Sequence, residues 1–518
     1  MPSTLPLLRG TISLDRALSD DDNILSLIGY PRRRQEFFSY LTAHKAEIEA
    51  LVSFHLGVER CRASDSETWL CGSFNVCIPV FISPPSAVRS VLVRIPLPYK
   101  VGEASCPGNV DEKLRCEVAS YLWIQENCPD VSIPFLFGFG FPDGPSFTAP
   151  ELTPLLARLK WGSRRTLLSW LRFPVPCRYI DRNRRDTLKT GYMIISRVSQ
   201  GEMLSDSWEV FRHDKAHRSN LFHDLARIVL SLNRSPLGSI GSLTVNNQGI
   251  TTLTNRPLTL QLQSLENEGV PSAIPRDYTY TTVEPYLLDL LACHDNRIFY
   301  QPNSIHDQDD GQQQLAALTI MRATLPQFAQ REYRHGPFVF TLTDLHQSNI
   351  FVDSEWHITS LIDLEWACSL PIQLQSPPYW LSGRGIDQLE HGEHLETYSH
   401  LVSEYIDAFA AEERQLETSI QKRHSTNQSS IMKKCWETGS FWYFQALNTP
   451  KGLFRVFNEH IQRRFCAEHS EMLIFDQVVS PYWGIGTADI IERKIREEER
   501  YKERLREAFA EESPKGGI

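Results

Sequence analysis

Asp344, Asn349 and Asp363 are the residues whose types and spacing could do chemistry together, in the stretch FVFTLTDLHQSNIFVDSEWHITSLIDLEWA from Phe338 to Ala367. An amide oxygen and a carboxylate brought side by side make a site for a hard cation, which takes oxygen ligands. If that cation is Mg²⁺, it keeps waters that substrate phosphates can replace. A further carboxylate facing the cation can orient a hydroxyl and accept its proton.

The elements that must position these groups are short strands. Phe338-Val339-Phe340 is an apolar β-forming run, followed by a polar loop from Thr341 to Ser348. Two further runs, Ile350-Phe351-Val352 and Ile358 to Ile362, flank the polar turn Asp353-Ser354-Glu355 and read as a β-hairpin. Antiparallel pairing in which residue numbers add to about 712 sets Asn349 opposite Asp363, roughly 5 Å apart. Asp344 lies on the loop entering the same end. Asp and Asn in turns also serve the backbone alone; here strand, polar loop, hairpin and terminal Asp occur together.

TDLHQSNIFVD followed by ITSLIDLEWA resembles the catalytic segment of the aminoglycoside phosphotransferase (APH) and choline kinase-like family, its fungal members in particular. That segment usually reads H-G-D-L-H-x-x-N, then I-D-W/L-E-x-A. The chain keeps Asp344, Leu345-His346, Asn349 and Ile362-Asp363-Leu364-Glu365, and has Leu342-Thr343 where the family commonly has His-Gly. The resemblance implies an α+β, bilobal protein-kinase-like fold, with a small antiparallel-sheet N-lobe and a larger, mainly helical C-lobe. It implies ATP and Mg²⁺ as cofactors, Asp344 as the catalytic carboxylate, Asn349 and Asp363 as metal ligands, and transfer of the γ-phosphoryl group to a hydroxyl of a small molecule. The rival expectation is a pseudokinase-like nucleotide-binding scaffold. A protein acceptor is disfavoured, since no A-P-E motif follows Asp363.

Alternation from Glu67 to Pro96 predicts at least three strands, with Gly72-Ser73 at the first bend and Pro84-Pro85 in the second turn. A glycine there makes a turn or bulge, or lays backbone amides over phosphates. Arg94, in VLVRIPLP, stands where the resemblance places the phosphate-binding Lys. Glu117 shares the buried face of the predicted helix Asp111 to Asn127, and either pairs with Arg94 or sits at the rim. Tyr192 to Ile195 reads as the last N-lobe strand, and Ser196 to Gly201 as the linker. The resemblance makes this hinge, with Ile195 and Arg197, the backbone partner of adenine.

The expected organisation is an N-terminal helical extension (1–60), the N-lobe (61–195, with an irregular insertion at about 142–190), the C-lobe (196–393) and a C-terminal helical extension (394–518). Helices are expected over 219–233 and 311–330, the second preceded by an exposed loop from His306 to Gln314. Others are expected over 398–409 and 436–447, with an exposed charged helix beyond Ala488.

Composition narrows the class. Charged residues are 22% and hydrophobic ones 41% of 518, the balance of a globular protein. A formal charge of −10 argues against nucleic acid as a partner. No apolar run is long enough to cross a bilayer, so no membrane partner and a cytoplasmic location are expected. The 11 cysteines form no CxxC pair, which argues against a zinc module.

Overall fold

The computed structural model describes residues 4–84, 88–142, 144–182, 188–420, 427–466 and 472–511. Pro85 of the expected Pro-Pro turn, and Arg184 and Arg185 of the expected insertion, lie outside them.

The chain opens with a small hairpin, β1 (Thr4–Pro6) and β2 (Thr11–Ser13), before two long helices, α1 (Tyr30–Ala43) and α2 (Lys45–Leu56). Next come β3 (Cys61–Ala63), β4 (Leu70–Cys71), β5 (Asn75–Ile82), β6 (Ser90–Pro96), α3 (Asn109–Asn127) and β7 (Leu136–Gly140). The 142–190 segment is more ordered than its sequence implied, holding β8 (Ser146–Thr148), helix α4 (Leu155–Trp170) and β9 (Ile180–Arg182) before β10 (Tyr192–Ser196). The strands pair antiparallel in the order β3-β5-β6-β10-β7-β8-β9, with β4 also on β5.

Strand alternation gives this sheet two unlike faces. Val76, Ile78, Val80, Val91, Val93 and Ile95 pack with Leu41, Ile48 and Leu51 of α1 and α2. The other face carries Asn75, Cys77 and Arg94; Cys77 and Met193 flank Arg94 in register. Helix α3 borders that face, buried on nearly all sides. It is tied to the second lobe by buried Arg256, whose Nε donates to Glu112 at 2.9 Å and whose Nη1 donates to Glu266 at 2.6 Å.

After the linker come β11 (Glu202–Met203), α5 (Lys215–Leu232), the pair β12 (Ser242–Val245) and β13 (Thr251–Asn255), α6 (Leu260–Asn267), α7 (Val283–Tyr300) and α8 (Gln308–Phe328). The exposed loop expected over 306–314 is instead the start of α8. Asp307 caps it by accepting from the Asp310 N–H, two further acids occupy its first turn, and Gly311 and Gln314 are buried.

The stretch around Asp344 comprises β14 (Phe338–Leu342), β15 (Ile350–Val352), β16 (Ile358–Leu361) and β17 (Ala367–Pro371). Strands β14 and β17 pair, and the β15–β16 hairpin is joined by β11. Helices α9 (Glu393–Ile420), α10 (Gln428–Thr438), α11 (Ser440–Leu447) and α12 (Thr487–Glu511) complete the larger lobe. A small antiparallel-sheet lobe on a larger, mainly helical one makes the α+β, bilobal architecture of this chain.

The last helix is not the exposed rod its charge implied. Tyr501, Leu505 and Phe509 of α12 form a buried seam with Leu5, Ile12, Ala17 and Ile24, and the Tyr501 hydroxyl accepts from the Ile24 N–H at 2.8 Å. His306 reinforces the junction: Nδ1 lies 3.0 Å from Glu498 and Nε2 3.1 Å from Asp21. Those hydrogen bonds push its pKa up to about 10, so the imidazolium is the native form. A folded pKa raised above the unfolded value of about 6.5 contributes stability that is complete below pH 6.5 and lost as pH climbs through 10. Thermal melts from pH 6 to pH 10 should show a decline in Tm that is shallower in His306→Gln; equal slopes would refute the assignment.

Candidate active site

The hairpin positions Asn349 one residue off the expected register. Ile350 faces Leu361 and Val352 faces Ile358, with an irregularity between Phe351 and Val352. Asn349 therefore faces Ile362, whose N–H donates to its carbonyl at 2.9 Å, and Asp363 stands one step beyond. The turn closes tightly, with the Asp353 N–H donating to the His357 carbonyl at 3.0 Å around a left-handed Trp356 (φ 62°), and the pairing then skips Thr359 within β16, so the register ends one short of the expected one. The burial of Trp356 and its stacking on Trp208 (centroids 5.5 Å apart) hold that conformation. Asp363 is itself left-handed at φ 64°, a conformation that non-glycine residues keep where surroundings enforce it.

Asp344 and Asn349 are locked together, since Asn349 Nδ2 donates to the Asp344 carbonyl at 2.9 Å. The loop between them is pinned by Trp380, whose Nε1 donates to the Leu345 carbonyl at 2.7 Å. Leu342 pairs with Ala367 at the end of β14, and the Thr343 hydroxyl donates to the Trp366 carbonyl at 2.5 Å. The residues standing for the family's His-Gly thus fasten the loop in their own way. Burial, then the charges of Asp363 and Glu365, push the Asp344 carboxyl up to about 7.

Behind Asp363 lies a web of buried charge. Arg94 bonds to Asp363, donates to Glu365 at 2.9 Å and places Nε 2.7 Å from Glu117. Lys113, wholly buried, lies 2.5 Å from Glu365 and 3.6 Å from Glu117, and donates to Asn75 at 2.7 Å. The expected Arg94–Glu117 pair is therefore present, but Arg94 also grips Asp363 across the lobes. Burial works against the Glu365 charge, yet Lys113 and Arg94 outweigh it and hold its pKa below the ordinary value. For Glu117 and Asp363, burial wins over these cations and the pKa is raised.

Two donor sets are candidates for a metal ion. Carboxylate oxygens of Glu117, Asp363 and Glu365 lie within 4.8 Å of one another, but Arg94 and Lys113 already neutralise much of that charge. Asn349 Oδ1 and Asp363 Oδ2 fit better: both are hard oxygens, and among the described residues neither accepts a hydrogen bond from the protein.

Not every expected residue joins this cluster. Gly72 and Ser73 form a tight turn, with the Gly72 N–H donating to the Asn75 carbonyl at 3.0 Å. They line a separate cavity of ≈ 320 Å³ with Arg9, Arg34 and Lys100, while Phe74 beside them meets Trp366 edge-on at 5.1 Å. Ile195 is buried in β10, one register step beyond Met193 on the face that bears Arg94, and Arg197 is exposed on the linker. Lys113, Asn75 and Glu365 escaped the sequence reading as members of a web; the i,i+4 spacing of Lys113 and Glu117 was the available signal.

Asp344 lies on the wall of a cavity of ≈ 600 Å³. Its lining includes Leu225, Val229, Phe340, Leu374, Tyr405 and Met432. Charge within it comes from Asp344, Asp387 and Glu268, with Lys451 bonded to Glu268 at 3.1 Å.

Residues 148–372, which include Asp344, Asn349 and Asp363, match the APH model, described as the phosphotransferase enzyme family. No curated protein matches the chain. Among solved structures, the chain is similar to a type I macrolide 2'-phosphotransferase at 11% identity and a TM-score of 0.32, covering 81% of this chain and 97% of that one. It is also similar to a choline kinase from Cryptosporidium parvum Iowa II at 11% identity and a TM-score of 0.34, covering 84% and 91%. Within residues 148–372, the segment that holds its three oxygen-bearing side chains, the chain is similar to the APH phosphotransferase family model.

Proposed function

We propose that this protein transfers the γ-phosphoryl group of ATP to a hydroxyl of a small molecule. The observation that carries the reading is Asp344 on the wall of the large cavity, fixed to Asn349 and close enough to feel the charge of Asp363. A carboxylate titrating near neutrality suits a general base. Asp344 orients the acceptor hydroxyl and takes its proton as the new oxygen–phosphorus bond forms and the bond to the β–γ bridging oxygen breaks. Asn349 and Asp363 would hold Mg²⁺, which supplies charge neutralisation on the phosphates. Arg94 keeps Asp363 in place, and its Nη1, whose protein contact is a long one to Cys77 Sγ at 3.9 Å, remains available to a phosphate. The backbone from Ile195 to Arg197 is the proposed contact for adenine.

The cavity wall implies an acceptor with a largely apolar body, because apolar lining gains little from a heavily charged ligand. The test is transfer from γ-labelled ATP with Mg²⁺ to a panel running from polycationic aminosugars to uncharged alcohols with bulky hydrocarbon frames. Label should appear on members of the second group. Failure of the protein to bind ATP with Mg²⁺ would overturn the phosphotransferase reading, and transfer confined to the aminosugars would overturn the acceptor class alone.

A further inference from the structure

Helix α4 has an apolar face that nothing among the described residues covers. Leu155, Leu156, Leu159, Leu167 and Trp170 are all exposed, Leu156 at 81% and Trp170 at 79%, and Phe173 continues the strip at 59%. At 3.6 residues per turn these helix positions share one side. The opposite side is anchored. Ala157, Trp161, Arg165 and Leu168 recur at helical spacing and are half-buried, Trp161 Nε1 donates to the Cys177 carbonyl at 3.1 Å, and Arg165 Nε donates to Pro176 at 2.9 Å. The helix therefore cannot roll to hide its leucines, because its polar anchors fix which side faces out.

Charge singles out the same segment. Between Leu152 and Ile180 the chain carries Arg158, Lys160, Arg164, Arg165, Arg172 and Arg178 and no acidic residue, in a protein of formal charge −10; of these, Arg165 and Arg178 face Glu126 and Glu151 outside the segment. Helical spacing sets Lys160 and Arg164 along one margin of the apolar strip and Arg158 along the other. Hydrocarbon flanked by cations is the complement of acyl chains beneath anionic headgroups, and Leu with a terminal Trp and Phe is the residue set that seats at that depth. No described helix is long and apolar enough to cross a membrane.

We infer that α4 lays its outer face on the surface of an anionic lipid bilayer and holds the protein there peripherally. The strip lies on an anchored helix, and its basic margins match a negatively charged plane. Binding of this kind combines buried apolar area with screened electrostatic attraction, so both removal of leucines and added salt weaken it.

The experiment is flotation of the full chain with vesicles of phosphatidylcholine alone and of phosphatidylcholine containing about a third phosphatidylserine. The protein should float with the second and stay behind with the first. Leu156→Asp with Leu159→Asp, and separately Lys160→Glu with Arg164→Glu, should each weaken binding about tenfold or more, whereas Tyr482→Ser, at an exposed aromatic elsewhere, should not. If either pair fails to fold by circular dichroism, the other decides. No flotation with the anionic vesicles, or flotation that survives both pairs, overturns the proposal. Self-association abolished by the two aspartates, without vesicle binding, would do so in favour of a second copy of the chain.

Discussion

Asp344→Asn is expected to slow phosphoryl transfer by about 10²- to 10⁴-fold, the span that one positioned general base contributes, while leaving the affinity for ATP with Mg²⁺ near that of the wild type. The substitution keeps the size of the side chain and removes only the charge and the proton-accepting oxygen. Folding should not suffer. The carboxyl is held up to about 7 by burial and by Asp363 and Glu365, so a neutral amide relieves repulsion instead of creating it. The backbone carbonyl that anchors Asn349 is retained, so the loop stays assembled. Isothermal titration with a non-hydrolysable ATP analogue, set beside single-turnover transfer, separates the two roles. A fall in kcat without a fall in nucleotide affinity marks an interaction made in the transition state. Undiminished turnover would remove Asp344 from the chemistry, and loss of nucleotide binding would make it a binding residue instead.

The sequence made strands and hairpin legible where periodicity and turn chemistry agree. β5 and β6 alternate cleanly, and Asp353 marks the turn by accepting from the N–H groups of Glu355 and His357. The register ended one short because the turn closes tightly between Asp353 and His357 around a left-handed Trp356, which no local pattern announces and which the stack on Trp208 holds from another part of the chain, and the pairing then skips Thr359. The same holds for the charge web. Arg94 and Glu117 were legible as a strand cation and a buried helical carboxylate, but Glu365 and Asn75 join them only after the lobes close. Helix α4 escaped because its apolar side faces outward and Gly162 and flanking prolines mask its period. The tail was misread for the opposite reason. Lys494 and Glu498 are buried alongside Ile491, Tyr501 and Leu505, so what reads as an exposed charged helix carries a seam partly built of paired charge.

Lys113→Met should be the most destabilising single change in the small lobe, costing about 3–5 kcal/mol, the penalty for leaving a buried ion without its partner. Lys113 is fully buried, and its ammonium serves Glu365, Glu117 and Asn75 at once. Methionine fills the space of the stem, so the loss is one of charge and not of packing. Arg94 would then stand alone against Glu117, Asp363 and Glu365. The pH dependence gives a signature that a mere cavity would lack. In the wild type the depressed Glu365 pKa contributes stability present above the unfolded value of about 4.5 and lost as pH falls through the folded one. Without Lys113 that pKa rises, protonation relieves the variant, and the gap in stability between the two proteins narrows as the medium is acidified. Adding Glu365→Gln to Lys113→Met should recover most of the loss at neutral pH, because the stranded charge is gone. Denaturant unfolding of the four proteins in this cycle measures the coupling. Strictly additive costs, with a gap that does not change with pH, would mean that Lys113 and Glu365 do not act on one another, and that Asp363 is held in its left-handed conformation by Arg94 alone.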